Sequence, residues 1–295
     1  MNHSKVDEGI ASKSFDVLNT LFMVFLIIVC FYPIWYVLVA SFSTSSQVTA
    51  SGGALLWPKP LTLGAFSKAL AHPLIAGGFK NIFLILLLSL PLNMIMTLLC
   101  GYFMAARNVM WKNIIVSFFI FTMFFGGGLI PSYLNQKGLG LYNNIWALVI
   151  PGCLSIYNAI ICRSAIDAIP ESLFESARMD GATDMTILFR IIVPLIKPTL
   201  AVLLLYYGVG HWNSWFAASI YIKDNALLPI QNVLRAVLLA NSNMLNEGAD
   251  PENINTFAET IKYAAIVLST LPILCIYPFL QKYFVKGVMV GSVKG

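Results

Sequence analysis

Charge is what this sequence has least of. Asp, Glu, Lys and Arg make up 11% of its 295 residues, against 58% hydrophobic residues. A chain so poor in charge and so rich in apolar side chains does not have the composition of a soluble globule. The motifs of self-contained chemistry are missing as well. There is no G-x-x-x-x-G-K-[ST] loop, so the chain is not expected to hydrolyse ATP by itself. No H-E-x-x-H occurs, and the three histidines, His3, His72 and His211, lie far apart. The five cysteines (Cys30, Cys100, Cys153, Cys162 and Cys275) have no C-x-x-C spacing. They sit within or at the ends of apolar runs, where they read as small buried hydrophobes rather than metal ligands or disulfides. The run FGGGLIP at 125–131 has no Ser between its glycines and is no nucleophile elbow. GLGLYN and GVGHWN both fail the dinucleotide pattern. No motif therefore supports an intramembrane enzyme. A net charge of +5 fits a membrane topology and needs no nucleic acid to explain it.

What the sequence does have is long hydrophobic runs. Stretches of about 18 or more apolar residues with few charges read as membrane-spanning helices. Six are expected, near 17–40, 80–104, 113–134, 142–162, 197–216 and 262–284. The first exceeds the roughly 7–15 residues of a signal-peptide core, and Asp7, Glu8 and Asp16 spoil a basic leader, so it reads as a retained span. With the N-terminus inside, 11 of the 18 Lys and Arg residues fall on cytoplasmic segments and 7 on outer ones, which favours both termini in the cytoplasm. The expected architecture is an all-α integral membrane protein. Residues 1–16 form a cytoplasmic N-terminus, 17–284 a six-span domain with outer loops 41–79 and 217–261, and 285–295 a cytoplasmic tail. No Asp, Glu, Lys or Arg falls deep within these spans, where ion- and proton-coupled transporters place theirs. No repeat relates the first three spans to the last three. A stand-alone secondary transporter or channel for a small polar solute remains the alternative reading.

The scarce charge is concentrated in one cytoplasmic loop, 163–196. It holds Arg163, Asp167, Glu171, Glu175, Arg178, Asp180, Asp184 and Arg190, with Lys197 just beyond. Pro170 is suited to starting a helix, having no amide hydrogen to leave orphaned. Glu171, Glu175 and Arg178 share one face of that helix, and Phe174, Ala177 and Gly181 a neighbouring one. The small Ala177 and Gly181 permit close approach of another surface. Gly181 is also suited to ending the helix in a left-handed conformation, with Asp180 or Thr183 beginning the next turn. Periodicity alone is equally compatible with a solvated hairpin.

Spacing supplies more. Glu175-Ser176-Ala177, three residues, Gly181, nine residues, Ile191, one residue, then Val193-Pro194 resembles the EAA motif, E-A-A-x3-G-x9-I-x-L-P, of binding-protein-dependent ABC importer permeases. Ser176 and Val193 are mild departures. The resemblance extends along nearly the whole chain, including YYGVGHWNSWF (206–216) and the tail QKYFVKGVMVGSVKG (281–295). It is strongest toward the smaller of the two permeases of carbohydrate importers of the maltose and oligosaccharide type. It implies the type I ABC importer permease fold in a bacterial cytoplasmic membrane, and a non-catalytic subunit. Implied partners are a second six-span permease, a pair of ABC ATPase subunits, an extracytoplasmic sugar-binding protein and membrane lipid. It implies no cofactor on this chain, with ATP and Mg on the partner ATPase. Glu175, Ser176, Ala177, Asp180, Gly181, Ile191 and Pro194 would couple to the ATPases, and Val290, Gly291 and Ser292 would reach them from the tail.

Other features are open on sequence grounds. His211, Trp212, Asn213 and Trp215, near the outer end of the fifth run, are candidates for a substrate pathway, because aromatic faces and amide or imidazole groups suit sugars. Interface anchoring and interhelical bonding explain the same residues. Residues 228–239 suit a short amphipathic outer helix. Asn93 and Asn158 suit interhelical hydrogen bonds. Gly126, Gly127 and Gly128 suit either a hinge or close helix packing.

Overall fold

The computed structural model describes residues 10–107, 109–246, 261–276 and 278, and among these every regular element is helical. The chain divides into two compact units: Met1–Ala71 with Val237–Leu268, and His72–Ala236 with Ser269–Gly295.

In the first unit, α1 (Ile10–Ser41) carries almost nothing but large apolar residues from Leu21 to Val39. At its far end Val39 and Ala40 form a core with Val48, from α2 (Ser45–Ala50), and with Leu55. Aromatic groups fasten the following loop to α1. The Tyr32 hydroxyl donates to the Gly53 carbonyl at 2.6 Å and Trp35 Nε1–H to that of Leu56 at 3.0 Å. α3 (Gly64–Ala71) closes the segment.

The second unit is organised by α4 (Pro73–Ala105), which starts with Pro at its first position, where a missing N–H leaves no unmet donor. The third expected span is not one straight helix. α5 (Lys112–Phe124) and α6 (Leu129–Gly138) meet at 112°. The glycines decide this: Gly128 has φ +85°, a conformation side chains resist, so the helix stops and turns there. The fourth is interrupted too. α7 (Trp146–Val149) is a single turn, Pro151 and Gly152 follow, and α8 (Ile156–Asp167) starts anew with the Ser155 hydroxyl accepting from the Asn158 amide. After α8 come α9 (Glu171–Met179), α10 (Asp184–Thr186), a wide π turn at Ile187–Ile192, α11 (Val193–Leu195) and α12 (Lys197–Asn213). The segment 184–195 meets α12 at 87°. α13 (Phe216–Tyr221), α14 (Ile230–Asn246) and α15 (Ile261–Ile276) complete the described helices. α14 covers most of the amphipathic helix expected at 228–239 and extends beyond it.

By length and composition, Ser14–Ser41 and Pro73–Ala105 are each apolar and long enough to cross a membrane. The number rises to four if each bent pair counts as one span. α4 packs along α8 and α12. Contact with α8 is close enough that a Cβ on Gly101 would lie 2.9 Å from the Cys162 Cβ and Sγ, so only glycine fits. The main core lies beside this crossing, where Leu98, Cys162, Ile166, Ile187, Leu188, Ile192 and Leu203 are buried together.

Candidate functional site

Two places in the second unit gather polar groups: the charged loop after α8, and a cavity beside α12.

The charged loop is a rigid construction. Pro170 occupies the N-cap position of α9 without a side-chain capping bond, and Glu171 opens its first turn, where a carboxylate complements the helix dipole. The other end is a Schellman motif. The Gly181 amide donates to the Arg178 carbonyl at 3.0 Å, and the Ala182 amide to that of Ala177 at 2.9 Å. Gly181 sits at φ +79°, and a Cβ added there meets no heavy atom within 4 Å among the described residues. Backbone conformation, not crowding, therefore calls for glycine. Two residues on, the Thr183 hydroxyl accepts from the Thr186 amide at 3.3 Å and caps α10. Pro194 lies just beyond the π turn. In a straight α-helix its ring would collide with the Arg190 carbonyl, and the widened turn precedes it where that conflict arises.

Side chains tie the loop to the end of α4. Arg107, in the α4–α5 connection, pairs with Glu171, and the Tyr102 hydroxyl donates to Asp184 Oδ1 at 2.8 Å. Arg178 stands 3.9 Å from the same oxygen, and Arg163 pairs with Asp167 within α8 at 3.2 Å. These pairs are largely exposed, so each contributes at most about 1 kcal/mol; Arg107–Glu171 and Arg178–Asp184 serve to orient α9. They border a cleft of about 450 Å³ that also takes in Lys112 and Glu175.

Ala177 faces inward and packs with the core at the α4–α8 crossing, alongside Phe174, Ala182 and Ile191. The close approach its small side chain permits is thus made within the chain. Glu175, Ser176, Asp180, Gly181 and Pro194 are exposed. So are two residues that charge and spacing did not single out: Met179 is 88% exposed and Met185 53%.

The cavity, of about 400 Å³, is bounded by α6, α7, α8, α12 and α13. α12 contributes Tyr206, Tyr207, Gly210 and His211, the last three at i, i+3 and i+4 along one face, and Ser214 follows in extended backbone just past the helix end. Beside it, Asn93 of α4 joins distant parts of the chain. Its amide nitrogen donates to the Gly152 carbonyl at 2.7 Å, and its oxygen lies 2.9 Å from His211 Nε2, accepting that N–H. The Tyr207 hydroxyl bonds Thr97 at 2.7 Å and accepts from the Ser155 amide at 3.0 Å. Gln136, 8% exposed, lines the cavity from α6, and its Oε1 has no hydrogen-bond partner among the described residues.

A family model described as the binding-protein-dependent transport system inner membrane component matches residues 62–290. The chain belongs to this family. Like its relatives it is a permease of the ABC importer type. The permease is 37% identical over 285 residues to LplC of Bacillus subtilis (strain 168), covering 97% of this chain and 96% of LplC. To that organism's polygalacturonan/rhamnogalacturonan transport system permease protein YtcP it is 34% identical over 290 residues, covering 96% of this chain and 99% of YtcP. A chain from the crystal structure of a bacterial ABC transporter involved in importing the acidic polysaccharide alginate matches it with a TM-score of 0.85 at 28% identity. That match covers 94% of this permease and 98% of the other chain.

Of the four residues proposed for a pathway, the structure brings only His211 to the permease cavity. Trp212 is 4% exposed and packs edge-on against Phe83, with ring centroids 5.8 Å apart, while its Nε1–H donates to the Ser269 carbonyl at 3.1 Å. Trp215 lies under the Arg235 guanidinium, 3.7 Å from the ring centre, and its carbonyl accepts from Asn232. Asn213 is exposed. Neighbours in sequence fan out around a helix at about 100° apiece, so four near-consecutive residues do not share a wall. The signal that would have found the cavity is the stripe Tyr207, Gly210 and His211 along α12. Val290, Gly291 and Ser292 lie outside the described residues.

Proposed function

We propose that this permease is the smaller of two membrane subunits of an ATP-driven importer of oligosaccharides, spanning the bacterial cytoplasmic membrane six times with both termini inside. A separate ATPase pair docks on the loop around α9, and an extracytoplasmic binding protein delivers the sugar. The carbohydrate class rests on the relatives, whose names include polygalacturonan, rhamnogalacturonan and arabinooligosaccharides.

The observation that carries the coupling reading is the Schellman-ended α9 at the EAA spacing. Its inner face is locked into the permease core through Ala177, while Glu175, Asp180 and Met179 stand exposed. A rigid projection with an adaptable methionine on its outer side suits a protein socket. Glu175, Asp180 and Gly181 thus form the outward contact, and Ala177, Ile191 and Pro194 set the geometry behind it. Transport by alternating access then requires differential affinity. ATP-bound ATPases and the loaded binding protein must both favour the outward-facing state. The outer loop containing α14 is the surface of this chain assigned to the binding protein.

The test is mild-detergent purification of the tagged chain from its host, with mass spectrometry of what accompanies it. A second permease and a P-loop ATPase are expected. Gly181→Arg should release the ATPase and abolish uptake while the permease pair stays assembled, because the new side chain enters open space and strains the backbone by only about 1–2 kcal/mol. Normal uptake by this variant, or a chain that purifies alone, would overturn the coupling reading.

A further inference from the structure

We propose that the cavity beside α12 is a sugar-binding subsite on the translocation path, one that holds a neutral, hydroxyl-bearing sugar unit through Gln136, Asn158, Tyr206, His211 and Ser214. This rests on the importer reading above and adds to it a direct contact between this subunit and its cargo.

The cavity sets hydrogen-bonding groups into a largely apolar wall. At about 400 Å³ it falls within the range of roughly 300–1,000 Å³ typical of small-molecule sites. Its polar lining mixes amide, imidazole and hydroxyl groups, which supply both donors and acceptors, as the hydroxyls of a sugar require. Some of that lining is already engaged and rigid. His211 is held by Asn93, and Tyr207 by Thr97 and the Ser155 amide. Gln136 differs: its buried Oε1 has no partner among the described residues. A buried, unmet acceptor costs about 1–3 kcal/mol, so a core position would not keep one without compensation. A ligand hydroxyl in the cavity that Gln136 lines supplies it once the amide turns toward that space.

Among the described residues the lining includes no Lys, Arg, Asp or Glu. A uronate carboxylate placed here would lose its hydration without gaining a cation from this chain, which disfavours an acidic unit. Position agrees with a path across the membrane. Along α12, Tyr207 and His211 lie 10 and 14 residues beyond Lys197, roughly 15 and 21 Å of helix, in a hydrocarbon layer about 30 Å thick.

The complex of both permeases and the ATPases, reconstituted in liposomes with its binding protein, tests this using labelled raffinose, arabinotriose, maltotriose and trigalacturonate. Gln136→Leu should lower uptake of the transported neutral sugar about tenfold or more, the worth of one hydrogen bond made within the path. ATPase assembly should stay intact and thermal stability should hold or rise, because the unmet acceptor is gone. A purely structural Gln136 would give the opposite pattern. Ser214→Ala provides a second, milder variant, with an expected loss of about threefold, and it decides the matter if Gln136→Leu fails to assemble. Wild-type uptake with both variants unimpaired overturns the subsite alone. So does transport of trigalacturonate in preference to every neutral probe. A wild-type complex that transports none of the four overturns the importer reading and the subsite with it.

Discussion

α1 and α4 are nearly indistinguishable by hydropathy. Their apolar windows average 2.5 and 2.4, and both helices carry an internal proline, Pro33 and Pro91. Yet 6% of the first window is buried against 33% of the second. The difference lies in side-chain size and polarity. α4 buries a stripe of Gly78, Ile82, Ile85, Ser89, Asn93, Thr97, Cys100 and Met104, recurring every three or four residues, with Gly101 beside it. α1 shows no such stripe: from Leu21 to Leu38 it is apolar on every side and mostly exposed. Within lipid, a leucine gains little by leaving the acyl chains for another helix. Close backbone approach and interhelical hydrogen bonds drive packing instead. Hydropathy therefore says that a helix belongs in the membrane, and the small and polar residues say which face meets protein.

The most damaging way to break this contrast is Gly101→Leu. With a bare Cβ already 2.9 Å from Cys162, the larger side chain forces α4 and α8 apart. A loss of about 3 kcal/mol is expected, with aggregation in place of a monodisperse peak on size-exclusion chromatography in mild detergent. A normal peak would show that the two helices do not cross as described. Next comes Asn93→Ala, which strands the Gly152 carbonyl and His211 Nε2–H together. It should cost about 1–2 kcal/mol, read as a lowered midpoint of thermal unfolding in nanodiscs. Thr97→Val removes only the Tyr207 contact and should cost about 0.6 kcal/mol, the average for such bonds in a bilayer. The smallest effect is assigned to α1. Ile27→Ala should change the purified chain by less than about 0.5 kcal/mol. If it destabilises as much as Asn93→Ala does, burial rather than polarity governs this permease, and the lesson drawn from α4 fails.

The charged loop was the most legible part of the molecule. Pro170, Gly181 and Thr183 act on their immediate neighbours, so the start of α9, its left-handed end and the cap of α10 could all be read in order along the chain. The amphipathic α14 was readable for the same reason. The division of labour inside the loop was not. Ala177 reads as a residue of the coupling face, and the structure places it in a core shared with Leu98, Cys162 and Ile187, which come from three separate segments. The glycine run 126–128 shows the same limit. Packing and bending demand the same residue type, and only the structure chose the 112° turn.

The sequence by itself determined an all-helical chain with long apolar runs, a charged loop of defined helix ends, and membership in a permease family. These rest on composition and on relations between residues a few positions apart. The tertiary structure alone decided the cavity. Asn93 meets partners 59 and 118 residues away, and Gln136 joins His211 and Asn158 around one space only because α6, α8 and α12 converge there. Such meetings depend on how helices bend and cross, which no local pattern encodes.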